Sequence, residues 1–421
     1  MVRKWFLLCG CVWMLSMTPS QAQEFSLQSL EKEFLQHNYL LLAARYDIDV
    51  KDAQILQEKL WSNPSLTVEQ INFWANSGSE QLAYLWGTYG NTQQVSVDME
   101  QLVETAGKRK KRVALKQSEK EDAQLDFEEL IRELKWELRN TYIDLQVAQL
   151  REEQLQQTVT FFNKLRDSYK KQSDKQLIAK ADFLRVQSEL MRLKEELIGV
   201  QDEKLKLLQE LRLFTRNGSI ERVASLQMEQ INQLSLKIPA NILELALDNN
   251  IGQKKQALAY TMAEQSLRLE KANAKPDIRL QLNYDRGGNI MQDFVGVGIN
   301  MDLPVFNRNQ GNIKAARYEV MKQSVLKDNK ATVTQHTIGR LIQQIGLYES
   351  ELQTAEITSS DEYRKMMDNY FRHLQTHQIS LIEFLDFSQA FMQAQESIWG
   401  LRSAYLKVFE ELQYTIGSDI Q

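Results

Sequence analysis

Glu383 and Asp386 stand three residues apart, so on a helix they share one face. Carboxylates held that close draw cations and repel one another until a cation or a partner relieves them. His373 and His377 are four apart, the spacing by which one helix face can hold a metal, but no third ligand accompanies them and no metal site is expected. Lys108-Arg109-Lys110-Lys111-Arg112 places five cations at a helix start, against the helix dipole. Such a run suits anionic phospholipid headgroups, with a plain solvated basic turn as the alternative. There is no phosphate loop, no G-x-S-x-G elbow and no Cys-x-x-Cys pair, and the chain has only 4 histidines. Neither enzymatic activity nor a cofactor is expected.

The elements that position these residues begin with a leader. Arg3 and Lys4 precede the apolar stretch from Trp5 to Met17, and Ser20-Gln21-Ala22 offers a cleavage site, so residues 1–22 are predicted to be a signal peptide. Both cysteines, Cys9 and Cys11, lie inside it, leaving the exported chain without disulfides or a thiol nucleophile. Leu8-Cys9-Gly10-Cys11 also looks like a short lipobox, which leaves lipidation of Cys11 open. After the leader no run of about 18 apolar residues occurs, so a membrane could be entered only by strands of a closed barrel. With 51 Lys+Arg against 56 Asp+Glu there is no basic surplus for nucleic acid.

Five prolines and 17 glycines in 421 residues are few breakers, and long helices are expected. Phe127, Leu130, Leu134, Leu138, Thr141, Leu145 and Ala148 recur at spacings of three and four, as do Leu190, Leu193, Leu197, Val200, Leu207, Leu211 and Phe214. A first helical hairpin is predicted over about 108–216 and a second over about 312–416, with polar tips at 168–176 and 373–378. Its first arm, ending near Ser168, would run roughly 90 Å. Shorter single helices, Leu27 to Trp61 and Ile242 to Asn273, precede them and end at Pro64 and Pro276. Between each short helix and each hairpin the period changes to two. Ile278, Leu280, Leu282 and Tyr284 alternate with Arg279, Gln281, Asn283 and Asp285, and Val295 to Leu303 alternates likewise. Strands are predicted at about 64–73, 92–103, 276–285 and 294–303. The chain thus reads as two tandem repeats, 23–238 and 239–421, each a short helix, a strand pair and a long hairpin.

Four strands cannot close a barrel, since about eight are needed before the interior holds side chains; three chains would supply twelve. A homotrimer is therefore expected, mainly α with a membrane β-barrel and a helical tube beneath it. Asp98, Glu100, Arg279, Asn283 and Asp302 would line its wet lumen. Trp74, Tyr84, Trp86 and Tyr89 would form an aromatic belt or pack the first extracellular loop.

These residues resemble the TolC family of outer-membrane efflux channels, in particular its CzcC-like or CusC-like branch. Pro276-Asp277-Ile278 and the run Val297-Gly298-Ile299-Asn300-Met301-Asp302-Leu303-Pro304-Val305-Phe306-Asn307-Arg308-Asn309-Gln310-Gly311 look like the family's second strand pair and the start of its long helix. Tyr370 with Ile379 to Asp386 resembles the second periplasmic turn, and Tyr169 with Ala181 to Arg185 the first. The resemblance covers nearly the whole exported chain. It implies a trimeric conduit in the outer membrane with a large periplasmic portion. A periplasmic adaptor, an inner-membrane pump and outer-membrane lipids would be its partners, in a tripartite efflux system without catalytic residues. It also implies that Glu383 and Asp386 belong to an acidic ring at the periplasmic entrance, with Asp182 at the equivalent place and Tyr370 helping to hold the closed tip. Arg185 departs from that pattern where an acid would be expected. A soluble periplasmic coiled-coil adaptor or spacer, and a protein-secretion channel of the same architecture, are the competing readings.

Overall fold

A computed structural model describes residues 24–71, 81–225, 233–287, 291–354, 360–376 and 378–420. The signal-peptide segment, Cys9, Cys11, Trp74 and His377 lie outside the described residues. Helices α1 (Leu27–His37) and α2 (Tyr39–Lys59) lead into strands β1 (Ser65–Ile71) and β2 (Gln94–Val103), then α3 (Lys108–Asp174) and α4 (Lys180–Thr215). The second half repeats the order with α5 (Ile242–Asn249), α6 (Ile251–Asn273), β3 (Ile278–Asp285), β4 (Phe294–Met301), α7 (Gln310–Thr354), α8 (Ser360–Gln375) and α9 (Leu381–Ile416). The chain is thus mostly helical with one small antiparallel sheet, and among the described residues no helix is long and apolar enough to cross a membrane.

The chain divides into two compact units. One comprises Met1–Asn38, Leu134–Leu234 and Gln344–Glu410; the other comprises Tyr39–Glu133, Ser235–Gln343 and Glu411–Gln421. In the first, the periodic apolar residues become a core: Leu138, Leu145, Leu193 and Leu211 are fully buried. The second holds the sheet, ordered β1-β2-β3-β4 and antiparallel throughout. Its central pair, β2 and β3, joins the two repeats. Strands β3 and β4 have eight residues each rather than the nine or ten expected. Pro276 and Pro304 have no N–H to extend the ladder.

The two short helices differ from expectation in the same way. Each is broken at an asparagine, Asn38 between α1 and α2 and Asn250 between α5 and α6, both with extended ψ values (126° and 119°). The Asn38 side-chain amide donates to the Phe214 carbonyl at 3.1 Å, near the end of α4. Asn250 donates to the Thr415 carbonyl at 2.6 Å, near the end of α9. Its Oδ1 also accepts from the Gln253 amide at 2.9 Å, capping α6. An Asn that leaves the helical region can thus satisfy an orphan carbonyl at another helix's C-terminus.

Candidate functional site

The tip begins as an apolar cluster. Leu155, Phe162 and Leu165 of α3, Val186, Leu190 and Leu193 of α4, Met367 and Leu374 of α8, and Leu381 and Phe384 of α9 are all buried together. Phe161 stands edge-on to Phe371 at 5.1 Å, and Tyr370 is stacked on Phe387 with centroids 3.7 Å apart and planes within 4°. Tyr370 therefore holds α8 against α9. Burial, reinforced by the charge of Asp182, pushes the Tyr169 hydroxyl above its ordinary pKa and keeps it protonated at neutral pH.

The acids sit at the rim of this cluster with unequal freedom. Glu383 is bound to its own helix: the Ser380 amide donates to its Oε2 at 2.7 Å, and the Glu383 amide donates to the Ser380 hydroxyl at 3.2 Å. Ser380-x-x-Glu383 is thus a capping box. Asp182 accepts from Arg185 Nη1 at 3.4 Å, so the arginine that replaces an expected acid partly neutralises the acid beside it. Asp386 is exposed and has no ion pair among the described residues. His373 Nδ1 is hydrogen-bonded to Gln378 Oε1. Among the described residues no group of three His, Cys, Asp or Glu is placed to hold a metal.

Hydrogen bonds from the Ser380 amide, then its hydroxyl, hold the Glu383 carboxyl below its ordinary pKa. The stabilisation is therefore present above the unfolded value of about 4.3 and is lost as pH falls through the lower folded value. The first turn of α9 is expected to fray below about pH 4, seen as faster exchange of the Ser380 amide. In Glu383→Ala that amide exchanges fast at neutral pH too; an acid-insensitive Ser380 amide in the unchanged protein would disprove the cap's role.

The basic run is divided by its surroundings. Lys108 is buried; its Nζ meets Asp277 Oδ2 at 2.8 Å and the Lys275 carbonyl at 2.8 Å. Burial alone would raise the Asp277 pKa, but hydrogen bonds from Lys108 and from the Thr105 amide bring it below the ordinary value. Arg112 gives a fork to Glu104 at 2.6 and 2.9 Å and its Nε to Glu58 at 2.9 Å. Lys111 donates to the Ala106 carbonyl. Five equivalent interfacial cations are therefore not what the fold provides: Lys108 and Arg112 tie strand ends to helices by ion pairs, Lys111 is held by a backbone carbonyl, and Arg109 and Lys110 have neither contact among the described residues.

The sheet has two unlike faces. On one, Val68, Val97, Tyr284 and Val295 lie in register from β1 to β4, and Leu66, Met99, Leu282 and Val297 form the next row of the same face. This apolar face is bare in the single chain, with Val68 63% and Val297 87% exposed. On the other, Thr67, Asp98, Asn283 and Gly296 form the neighbouring row. There Asn283 donates to Asp98, Gln281 donates to Glu100 at 2.9 Å, and Arg279 bridges Glu100 (3.6 Å) and Asp302 (3.2 Å). All five expected lumen residues are thus linked to one another or to polar neighbours near one end of that face. Of the expected aromatic belt, Trp86 and Tyr89 stack at 5.0 Å across a turn through Gly87, whose φ of +57° favours glycine. Tyr84 is exposed beside them. Arg286, not singled out in the sequence, is buried and donates to the Gly90 carbonyl at 2.6 Å, holding that loop to the end of β3.

No protein-family model and no curated protein sequence matches the chain. Solved structures do. CusC, described with its transmembrane channel formation, superposes with a TM-score of 0.74 at 16% identity over 93% of this chain and 92% of its own. The CmeC outer membrane channel of Campylobacter jejuni gives 0.72 at 14% identity over 93% and 85%. The outer membrane protein VceC of Vibrio cholerae gives 0.69 at 14% over 94% and 97%. Matched over 93–94% of its length, the chain has the TolC-like fold of these proteins.

Proposed function

We propose that the chain is a TolC-family channel of the outer membrane, a passive conduit that takes cargo from a periplasmic adaptor and an inner-membrane pump and performs no chemistry on it. The two-faced sheet carries this reading. An apolar face left uncovered among the described residues suits lipid, and the polar face opposite it suits water. Both edges, β1 and β4, lack a further strand among the described residues, and closure by three copies gives twelve strands with Asp98, Glu100, Arg279, Asn283 and Asp302 around one lumen. The helices support assembly as well. Leu184, Met191, Ile198 and Leu205 of α4 are exposed at intervals of seven, and Tyr39, Leu42, Tyr46 and Val50 of α2 at intervals of three and four, rows that a second copy would bury.

In this trimer Asp386, repeated three times, is the main acid of the entrance, with Glu383 held back by its cap. The purified protein in a planar bilayer is expected to give discrete unitary conductances that multivalent cations block from one side. Asp386→Ala is expected to raise the conductance and weaken the block more than Glu383→Gln does. A protein that forms no channels and is recovered as a single soluble chain returns the reading to a periplasmic adaptor or spacer.

A further inference from the structure

Lys59, Arg109 and Lys110 stand near the sheet with no anion among the described residues. Lys59 ends α2, and Arg109 and Lys110 stand in the first turn of α3. None of the three has an ion pair among the described residues, whereas Lys108, Lys111 and Arg112 beside them are engaged. They surround a groove of about 330 Å³ whose walls include Trp61, Ser62 and Leu102. Glu104, the acid on the same wall, has both oxygens on Arg112 and is not available to the other cations.

Arg109 supplies the demand for a ligand. Its guanidinium carbon lies 4.0 Å from the centre of the Trp61 ring, and its Nη1 is closed off from solvent without an acceptor. A charged donor left unpaired away from water is costly, and an anionic oxygen in the groove would relieve it. The position points to the class of anion. The groove opens between the end of α2 and the start of α3, at the end of the sheet where Ser65, Val103, Ile278 and Met301 lie. Trp61 itself is 63% exposed. An exposed tryptophan with cations at the border of an apolar surface is the composition of a membrane–water boundary.

We propose that Lys59, Arg109 and Lys110, with Trp61 beneath them, bind the phosphate of an anionic glycerophospholipid headgroup. The proposal rests on the sheet being the membrane-embedded part of a channel. The test is native mass spectrometry of the full chain in non-ionic detergent, titrated with phosphatidylglycerol, which counts chains and bound lipids in one spectrum. A three-chain complex with saturable lipid binding is expected. K59Q/R109Q/K110Q is expected to weaken that binding roughly 100-fold, from about 1 kcal/mol for each cation removed. K170Q/K171Q/K175Q removes the same charge from the end of α3 and is expected to change it by no more than about twofold. Equal loss in both variants overturns the site. So does inorganic phosphate displacing the lipid at equal concentration, which would make it a free-anion site. A three-chain complex whose lipid binding ignores the first triple sinks the headgroup site alone; single chains without lipid sink the channel reading with it.

Discussion

Replacing Arg139 with Met is expected to destabilise the helices it joins by about 3–5 kcal/mol, the cost of breaking a buried pair from one side. Arg139 Nε donates to Glu31 Oε1 and its Nη1 to Glu410 Oε2, both at 2.6 Å, so one guanidinium ties α3 to α1 and to α9. All three side chains are largely buried, at 12%, 17% and 16% exposure. Burial works against the arginine's charge, but Glu410 and Glu31 outweigh it and leave the pKa above its ordinary value. Methionine fills much of the same volume and removes the charge, leaving Glu410 without this partner and Glu31 with only the longer 3.4 Å contact to Lys135. Hydrogen exchange across 27–37 and 405–410 reads the effect: protection should fall by about 100-fold or more at neutral pH. Arg139→Lys, which keeps the charge and loses the fork, should fall between. A change below about threefold in the Met variant would mean that the network contributes no more than a surface pair.

The helices and strands were legible because each buries one face, and burial writes its period into the sequence. Leu134, Leu138, Leu145 and Ala148 are buried as their spacing required. Val97 and Leu282 share the sheet's apolar face as their alternation required. What was not legible depends on partners far away in the chain. Nothing near Asn38 or Asn250 announces a helix break, because each is stabilised by a carbonyl more than 150 residues distant. The basic run read as uniform for the same reason: Glu58, Glu104 and Asp277, which select Lys108 and Arg112 out of it, are not local neighbours in the helix. Trp61 and Lys59 carried no signal because their meaning comes only from Arg109 folding over Trp61 and from the groove they share with it. At the tip the signal was present and read differently. Ser380-x-x-Glu383 is a local pattern with a local cause, yet the pair Glu383 and Asp386 was read as two equivalent acids.

Phe384→Ala is expected to loosen the tip by about 3–5 kcal/mol and, in the proposed channel, to open it. Phe384 is fully buried at the start of α9, with its ring 5.7 Å from Phe161 and 6.1 Å from Phe162. It is the residue through which α9 grips α3, and the tip cluster has no second aromatic of α9 so deeply buried among the described residues. Alanine leaves a void that the flanking rings can fill only by moving, and each such movement releases the neighbouring Tyr370–Phe387 stack. Asp386, two residues on, is exposed and held by no ion pair among the described residues, so its position follows that of the first turns of α9. Exchange protection should fall across 381–392 and 186–193 while strands β1 to β4 keep theirs, and the bilayer currents should show longer open dwell times with a higher mean conductance. Phe384→Leu, which keeps most of the apolar volume, should lose about half as much stability and open less often. If Phe384→Ala loosens the tip by exchange and leaves the currents unchanged, packing and gating are separate. The proposed entrance would then be held by a cation bridging the acids, whose mutual repulsion would otherwise open it.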